Sequence, residues 1–496
     1  MTKTTGKSLD DFKRAHDPMF VGDSPVPVWN WDPPRGANRF IFTAAQNATP
    51  VHKDWWAVLN HMAAEKNAEL CVLPIRYKNP TSAWTGSQKN AEHWVPEANG
   101  LLVNTRAQLN ANLQLLADIK IQPTAADPVG AGDLAAISGE YSAIVGHPKI
   151  QTRSIATPQN KMAKLLMTSG MCTVENYSDT RAGRVGAFHH SLSAVLVELD
   201  GKRFYMRRLH FDAKTKSCTD SAAGIRYYAN SSGTAPPALA LITGDLHCDY
   251  ADPKVIEATF GAGGMVEVAR PQHVIYHDIV DGYAVNHHHR GDPFNKIAKY
   301  LSGRDNAKAE LSRTLDFLRA HTIKGTQNVI AAANHSDDFL TRWVMETDWR
   351  QDPVNSEFYL ETALAMRRHT RHDPTLGAKF PSPFKYWVDA AKLPNTRVLD
   401  RDESFTLGGV ELGMHGDLGP NGARGSIRNL RRIGVKSIIG HAHSPGEDEG
   451  VTQVGTSTYL RLEYNHGPSS WLNAHAFLGD DGKRQLVVIV DGKYRL

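Results

Sequence analysis

Short apolar runs that end in polar clusters form the main pattern of the second half of the chain. They are ALALITGDLH (238–247), HVIYHDIVDG (273–282), NVIAAANH (328–335), GVELGMHGD (409–417) and VKSIIGHAHS (435–444). Helical spacing occupies intervening stretches such as DNAKAELSRTLDFLRAH (305–321). Strands that alternate with helices predict an α/β fold, in which ligands bind at the carboxyl ends of the strands.

The first half of the chain shows the same kind of alternation. RFIFTAAQN (39–47) and ELCVLPIRY (69–77) are apolar runs on either side of KDWWAVLNHMAAEKNA (53–68), which has helical spacing. This order predicts a βαβ unit with parallel strands. Residues 191–209 predict a β-hairpin around the Asp200-Gly201 turn.

A proline-containing stretch of small residues, SSGTAPPA (231–238), predicts a domain boundary. A chain of 496 residues exceeds what one hydrophobic core usually serves, so we expect two domains. The first is an N-terminal α/β accessory domain over 1–235, with a role in DNA binding or assembly. The second covers 236–496. No internal repeat is visible in the sequence.

Composition narrows the class of protein without selecting a function. The net charge is 56 − 52 = +4, so contact with a polyanion must depend on a local basic surface. The four cysteines contain no CxxC pair and fit reduced thiols in a cytoplasmic protein. The first residues lack the apolar core of a signal peptide, and no apolar run reaches about 18 residues, so we expect no membrane span.

Acidic, imidazole and amide side chains cluster at the ends of the five apolar runs. In chain order they are Asp245-x-His247, His277-Asp278-x-x-Asp281, Asn334-His335, His415 and His441-x-His443. Residues i and i+2 point the same way in an extended strand end, so each D-x-H or H-x-H pair can bind one metal ion. These ligand types suit Mn, Fe, Zn or Mg-like ions. A carboxylate such as Asp278 can bridge two ions about 3.5–4 Å apart.

In this order the five motifs resemble the calcineurin-like metallophosphoesterase superfamily over residues 240 to about 465. The resemblance implies a four-layer α/β/β/α sandwich with a dimetal centre between strand ends. It also implies which residues bind the metals: Asp245, His247 and His443 for the first ion, Asp278 as the bridge, and Asn334, His415 and His441 for the second. Mn²⁺ is the expected metal, with Mg²⁺, Zn²⁺ or Fe as alternatives.

The same resemblance implies the catalytic roles. His335 matches the histidine that protonates the leaving oxygen, a general-acid role, and water activated by both ions is the implied nucleophile. Asp281 is a candidate for orienting a ligand histidine. The Gly-Asp and Gly-Asn-His of the family are His277-Asp278 and Ala333-Asn334-His335 here, which changes the turns beside the metals.

A narrower resemblance connects the chain with the pre-early DNA-transfer proteins of tailed phages, which carry this phosphoesterase and are linked to host DNA breakdown. It depends on AAQNATPVH (44–52), IVGHPKIQTRSIATP (144–158), SGMCTVENYSDTRAGRVGAFHHS (169–191), ANHSDDFLTRW (333–343) and GPSSWLNAH (467–475). The superfamily includes DNA nucleases of the SbcD type, so DNA becomes the expected substrate.

Basic residues in two regions are candidates for phosphate-backbone contact. In the first half they are Arg153, Lys161, Lys164, Arg181 and Arg184, for which a solvated surface is the alternative. Closer to the metals in sequence are Arg424 and Arg428, followed by Arg431 and Arg432. His288, shortly after Asp278, is a further candidate, although a third metal site or a solvated loop would also explain its histidine-rich run.

The sequence therefore predicts a metal-dependent phosphodiesterase, a DNA nuclease without sequence preference, in the cytoplasm of an infected bacterium. A homo-oligomer is expected, and no membrane association. A small-molecule or nucleotide phosphodiesterase is one alternative, and a non-catalytic DNA-binding or transfer protein is the other.

Overall fold

In the computed structural model, the described residues are 31–84, 93–130, 133–375, 377–463 and 465–496. Their strands form two mixed sheets, one of 13 strands and one of 10. The strands are β1 (Arg39–Gln46), β2 (Glu69–Ile75), β3 (Arg106–Asn110), β4 (Leu113–Leu116), β5 (Ser142–Val145), β6 (Gln151–Ile155), β7 (Lys164–Thr168), β8 (Ser193–Asp200), β9 (Arg203–Asp212), β10 (Ser217–Asp220), β11 (Ile225–Tyr227), β12 (Ser232–Thr234), β13 (Ala240–Ile242), β14 (His273–Tyr276), β15 (Gln327–Ile330), β16 (Thr396–Val398), β17 (Thr406–Leu407), β18 (Val410–Glu411), β19 (Ser437–Ile439), β20 (Gly446–Asp448), β21 (Val451–Gln453), β22 (Ala474–Leu478) and β23 (Arg484–Val488).

Helices cover the outer faces of the sheets. In the described residues they are α1 (Lys53–Lys66), α2 (Leu134–Ile137), α3 (Arg181–His189), α4 (Pro253–Phe260), α5 (Met265–Ala269), α6 (Pro293–Ser302), α7 (Ala307–Ala320), α8 (Phe339–Glu346), α9 (Ser356–His369), α10 (Pro383–Ala390) and α11 (Ile427–Leu430).

The two sheets pack face to face through apolar side chains. Phe42 on β1 of the large sheet shares a buried cluster with Leu115 and Leu165 of the smaller sheet. Ile275 on β14 lies in a similar cluster with Ile438 on β19. Burial of apolar surface on both inner faces is the main stabilising contribution expected of such packing.

Helices pack on the other face of the large sheet. Trp55 and Leu59 of α1 are buried against Ile41 of β1. Leu311 of α7 belongs to a cluster with Tyr276 of β14. The protein is therefore a mixed α/β protein, and the predicted α/β class is confirmed.

The predicted secondary structure is largely present. β1 and β2 are parallel with α1 between them, which is the predicted βαβ unit. β8 and β9 form the predicted hairpin, with Asp200 paired to Arg203 across the turn. The five apolar runs of the second half contain β13, β14, β18 and β19, and all of β15 except its first residue.

A pattern of strand pairing occurs twice along the chain. We call residues 39–212 (β1–β9) the N-terminal unit and residues 240–488 (β13–β23) the C-terminal unit. In the N-terminal unit β1 pairs parallel with β2 and antiparallel with β8, which forms a hairpin with β9. In the C-terminal unit β13 pairs parallel with β14 and antiparallel with β22, which forms a hairpin with β23.

The smaller sheet repeats in the same way. β3–β4 and β6–β7 are antiparallel, and β4–β5 and β5–β7 are parallel. Their counterparts β17–β18 and β20–β21 are antiparallel, and β18–β19 and β19–β21 are parallel. The chain thus has an internal structural repeat, contrary to the expectation from sequence, because the repeat is one of topology and buried pattern.

The two units join through counterpart strands. β6 pairs antiparallel with β20, where Thr152 lies opposite Glu447, and β9 pairs antiparallel with β23. Antiparallel pairing of equivalent strands is what a two-fold axis produces, so the units are related by a pseudo-dyad near Thr152 and Glu447. The predicted boundary at residue 235 falls between the units, which share both sheets; the division into domains 1–235 and 236–496 stays a prediction.

No helix in the described part of the chain is both long enough and apolar enough to cross a membrane.

Candidate metal centre

The predicted metal ligands converge where strands of the two sheets end. Asp245, Asp278 and Asn334 follow the parallel strands β13, β14 and β15 of the large sheet. His415 follows β18, and His441 and His443 follow β19, which are parallel neighbours in the smaller sheet. These side chains therefore follow the carboxyl ends of strands from both sheets.

One group of side chains matches the ligands predicted for the first ion. Asp245, His247 and His443 are buried, and one ligand atom from each lies within 4.8 Å of the others. The Nε2 atoms of His247 and His443 are 3.2 Å apart, and His443 Nε2 is 3.0 Å from Asp245 Oδ2.

A second group matches most of the ligands predicted for the other ion. Asp278, His415 and His441 also bring one ligand atom each within 4.8 Å of the others. His415 Nε2 lies 3.0 Å from Asp278 Oδ2. Asn334 joins this group because its Oδ1 is 3.2 Å from Nδ1 of His441.

The state of these buried atoms fits a divalent cation. Asp245 Oδ2 and His415 Nε2 are buried, and the contacts that they make at 3.0 Å are with other predicted ligands, His443 Nε2 and Asp278 Oδ2. Burial disfavours the charged form of Asp278, yet His415 and His335 hold the pKa of its carboxyl well below the usual range. Burial likewise opposes protonation of His415, but Asp278 raises the pKa of that histidine to about 9, so a cation bound beside Asp278 would replace a proton on His415. The carboxylates are thus stabilised as anions, the form that binds metal.

Unusual backbone conformations concentrate at these residues. His247 (φ 41°), Asp278 (φ 38°), His441 (φ 73°) and His443 (φ 56°) all have left-handed backbone torsion angles. Such torsions cost about 1–3 kcal/mol each outside glycine and cluster at functional sites. Backbone strain at four predicted ligands is therefore an independent sign that this region is a functional site.

Asp281 and His335 lie beside the ligands. Asp281 Oδ1 is 3.0 Å from Nδ1 of His247, the contact expected of a residue that orients a ligand. Nδ1 of His335 is 2.6 Å from the Asp281 carbonyl oxygen, and its main-chain N–H donates to Asp278 Oδ1 at 3.2 Å. Its ring packs on Phe339, with centroids 4.5 Å apart. When Nδ1 donates to that carbonyl, Nε2 is left for proton transfer.

Two residues that support the site were missed from the sequence. A Cβ on Gly440 would lie 2.2 Å from Asp245 Oδ1, so only glycine lets this carboxylate approach the backbone. His475 accepts from the Gly244 main-chain N–H at 2.9 Å and contacts Thr259 Oγ1 with its other ring nitrogen. Gly440 stands directly before His441 in the G-H-x-H motif, and His475 ends the run GPSSWLNAH, so the signals were present without an assigned role.

The N-terminal unit lacks this set of ligands at the equivalent positions. Main-chain bonds align the units, since Asp245 N donates to Gly455 O at 3.1 Å and Ala44 N donates to Gly170 O at 3.0 Å. Counting along the matched strands pairs Ala44 with Asp245, Gln46 with His247, Leu73 with Asp278, His147 with His441 and Lys149 with His443.

A hollow of about 170 Å³ lies at this equivalent position. It is lined by Leu73, Ile75, Ala117 and Gly146 together with the basic Arg76 and Lys120. Apolar walls and two basic side chains are the opposite of what a divalent cation needs.

The candidate DNA-contacting residues occupy different places. Arg424 and Arg428 are exposed and line a cleft of about 540 Å³ together with Ala442, which stands between His441 and His443. His288 is exposed, with its ring 6.1 Å from that of Phe339. The structure therefore places Arg424 and Arg428 in a cleft that reaches Ala442, the sequence neighbour of two predicted ligands, and places His288 near Phe339, on which the ring of His335 packs.

The candidates of the N-terminal unit are more dispersed. Arg181 and Arg184 are exposed at the start of α3, and Arg184 pairs with Asp179 at 2.7 Å. Lys164 is buried and donates to main-chain carbonyls, including that of Ala135 at 2.7 Å, so phosphate contact by Lys164 was a wrong expectation.

Fold and site together define an α/β protein with His/Asp clusters that could bind metal ions. The chain is similar to "Protein A1" of Escherichia phage T5, with 27% identity over 503 residues, which cover 97% of this chain and 87% of that protein. The predicted relation to a phage protein is thereby confirmed. No family model matches the chain, and no solved structure matches it.

Proposed function

We propose that this protein is a two-metal phosphodiesterase that hydrolyses DNA without sequence preference. The observation that carries the proposal is the convergence of Asp245, His247 and His443 with Asp278, His415 and His441 in two adjoining groups of ligand atoms. Asn334 completes the second group. When bound, two divalent ions would provide Lewis-acid activation of a phosphoryl oxygen and of the attacking water.

Further residues support phosphoester chemistry rather than a purely structural metal site. His335 is 19% exposed in its side chain, in contrast to the fully buried His247 and His415, so a substrate can reach it. Its Nδ1 contact with Asp281 fixes the ring so that Nε2 can donate a proton to the leaving oxygen. A structural site would need no such accessible histidine.

The resemblance to calcineurin-like metallophosphoesterases supports the same proposal. Two facing sheets with helices on their outer faces are compatible with the four-layer α/β/β/α sandwich of that superfamily. Mn²⁺ is the proposed metal. The similarity to a phage protein supports activity in the cytoplasm of an infected bacterium, and a homo-oligomer is the proposed assembly.

A polymeric substrate is favoured by the surface beside the centre. The cleft that contains Arg424 and Arg428 begins at Ala442, between two proposed ligands, and extends to residues of the N-terminal unit such as Arg153. A small-molecule phosphodiesterase would not require a basic cleft that extends away from its metals.

The test compares two substrates with one preparation. The chain is stripped with EDTA, reloaded with Mn²⁺, and incubated with plasmid DNA and separately with bis-p-nitrophenyl phosphate. Metal-dependent cleavage of both substrates is the expected result. Cleavage of the small ester alone would identify a small-molecule enzyme, and DNA binding without any hydrolysis would identify a non-catalytic DNA-binding protein.

A further inference from the structure

The cleft next to the metal centre lies on the pseudo-dyad between the two units. Its walls include β6 of the N-terminal unit and β20 of the C-terminal unit, the antiparallel pair that joins the two halves of the smaller sheet. One side carries Arg153 and Ser154, and the other carries Arg424, Ser426 and Arg428. A substrate in the cleft would therefore contact both units.

The acidic residues of the cleft are already paired. Asp127 accepts from Arg153 at 3.0 Å, and Asp448 accepts from Arg431 at 2.5 Å. Glu447 forms an ion pair with the buried Arg208 at 3.5 Å and also accepts from the Thr152 hydroxyl at 2.6 Å.

Arg424 and Arg428 are different. Their side chains are exposed and form no ion pair with the described residues. The cleft thus has an uncompensated positive charge, which favours an anionic occupant.

The N-terminal unit has kept the fold without the metal ligands. It has Ala44, Gln46 and Leu73 where the C-terminal unit has Asp245, His247 and Asp278. It nevertheless supplies a complete wall of the cleft. A copy that no longer binds metal can still serve a reaction by binding the substrate.

We propose that the N-terminal unit is a metal-free second copy that binds substrate, and that the cleft on the pseudo-dyad binds a DNA strand through its phosphates. Arg424 and Arg428 contact phosphates nearest the metals, and Arg153 contacts the strand from the opposite wall. This inference deepens the proposed function and rests on it for the identity of the polymer.

The test measures binding without catalysis. The full chain in EDTA is titrated into fluorescein-labelled duplex DNA at increasing KCl, and the slope of log Kd against log salt is recorded. Each lost phosphate contact should reduce the slope by about 0.9. Arg424→Gln with Arg428→Gln should therefore reduce it by about 1.8, and Arg153→Gln by about 0.9.

Matched controls come from the same regions. Arg432→Gln removes an exposed charge near α11 outside the cleft wall, and its slope should equal that of the wild type. Arg184→Gln is the control for Arg153→Gln. Arg184 is paired with a carboxylate, as Arg153 is, but it lies on α3, outside the cleft. Circular-dichroism melting of each variant identifies any loss of folding.

The outcomes separate this inference from the proposed function. An unchanged slope for the double variant, or an equal reduction for Arg432→Gln, overturns the cleft as the binding site. A reduction only for Arg424 and Arg428, with none for Arg153, overturns the substrate-binding role of the N-terminal unit. Cleft-dependent binding by a protein that hydrolyses nothing in Mn²⁺ would support this inference and sink the proposed nuclease.

Discussion

The two units of this molecule have one topology and two different sets of strand ends. In the C-terminal unit the strands lead into Asp245, His247 and Asp278, whereas the matching strands of the N-terminal unit lead into Ala44, Gln46 and Leu73. Both units bury apolar faces between the same sheets. The pattern of buried apolar side chains therefore maintains the fold in both units. A few residues just beyond the strands determine whether a unit has side chains that could bind metal.

Strained backbone torsion angles occur at the predicted ligands of the C-terminal unit and not at the matching residues of the N-terminal unit. His247, Asp278, His441 and His443 have left-handed backbone conformations, but their counterparts Gln46, Leu73, His147 and Lys149 do not. Strained residues persist only where the surrounding structure and function require them. Relaxed backbone in the N-terminal unit is what we expect once ligand geometry is no longer needed.

The polar side chains that occupy the ligand positions in the N-terminal unit form hydrogen bonds within that unit. Gln46 donates to the Asn176 carbonyl at 2.6 Å, and Asn176 donates to Thr49 at 2.9 Å. His147 contacts the Gln122 carbonyl at 3.0 Å and accepts from Lys149 N at 3.1 Å. These side chains bond to residues outside the ligand positions or to the main chain, whereas the predicted ligands of the C-terminal unit contact one another, as His415 contacts Asp278 at 3.0 Å.

The largest expected effect is that of removing the bridging carboxylate. Asp278→Asn should abolish hydrolysis and lower bound Mn²⁺ to one ion or none, because the neutral amide cannot hold two cations together. Turnover of bis-p-nitrophenyl phosphate and metal content by mass spectrometry check this. Near-normal activity with two bound ions would remove Asp278 from its proposed role.

His335→Ala should reduce the rate by about 10²–10⁴-fold and keep both metals, which is the usual contribution of a general acid. His335 follows β15, a strand that the C-terminal unit adds between β14 and β17. Metal content is measured beside turnover for the variant and the wild type. A loss of metal would show instead that His335 is a ligand.

The smallest expected effect concerns acid stability and should involve both units. Burial lowers the pKa of His147, His190 and His475 to about 4. In the unfolded chain a histidine titrates near 6.5, so the unfolded state binds more protons between about pH 6.5 and pH 4. The free energy of unfolding should therefore be largest above about pH 6.5. It should decrease as the pH is lowered from 6.5 to 4, by at most about 3 kcal/mol per histidine.

Urea unfolding of the metal-free chain at several pH values measures that decline. His190→Gln, which cannot titrate, should flatten the curve by its share, and comparison with His475→Gln assigns the effect to each unit. Stability that stays constant or rises as the pH falls from 6.5 to 4 would contradict the prediction.

Much of the fold could be predicted from the sequence, because local apolar periodicity encodes strands and helices directly. β13 and β14 lie within the predicted runs, β15 begins one residue before its run, and the βαβ unit and the hairpin are present. The repeat is hard to see in the sequence, because the units share only short segments such as IVGH (144–147) and IIGH (438–441), and β15, β16 and α6–α10 interrupt the second unit. Cross-unit pairing such as that of β6 with β20 is non-local and leaves no short-range signal.

The residues of the candidate site could be predicted from the sequence, but their positions relative to one another could not. D-x-H and H-x-H spacing marks the side chains that meet, but the left-handed torsions of His247 and His443 depend on how the sheets approach. His475 was unpredictable in its role, because its bond to Gly244 crosses 231 residues of sequence. For the same reason the separation of Arg181 from Arg424 became visible only in the fold.

We propose that metal binds in the C-terminal unit and not at the equivalent position of the N-terminal unit. The most direct measurement is the number of Mn²⁺ ions per chain, by equilibrium dialysis, for the wild type and two matched variants. His441→Asn removes a proposed ligand, and His147→Asn changes its counterpart. Our account predicts two ions for the wild type and for His147→Asn, and fewer than two for His441→Asn. Metal lost equally in both variants, or kept in His441→Asn, would contradict it.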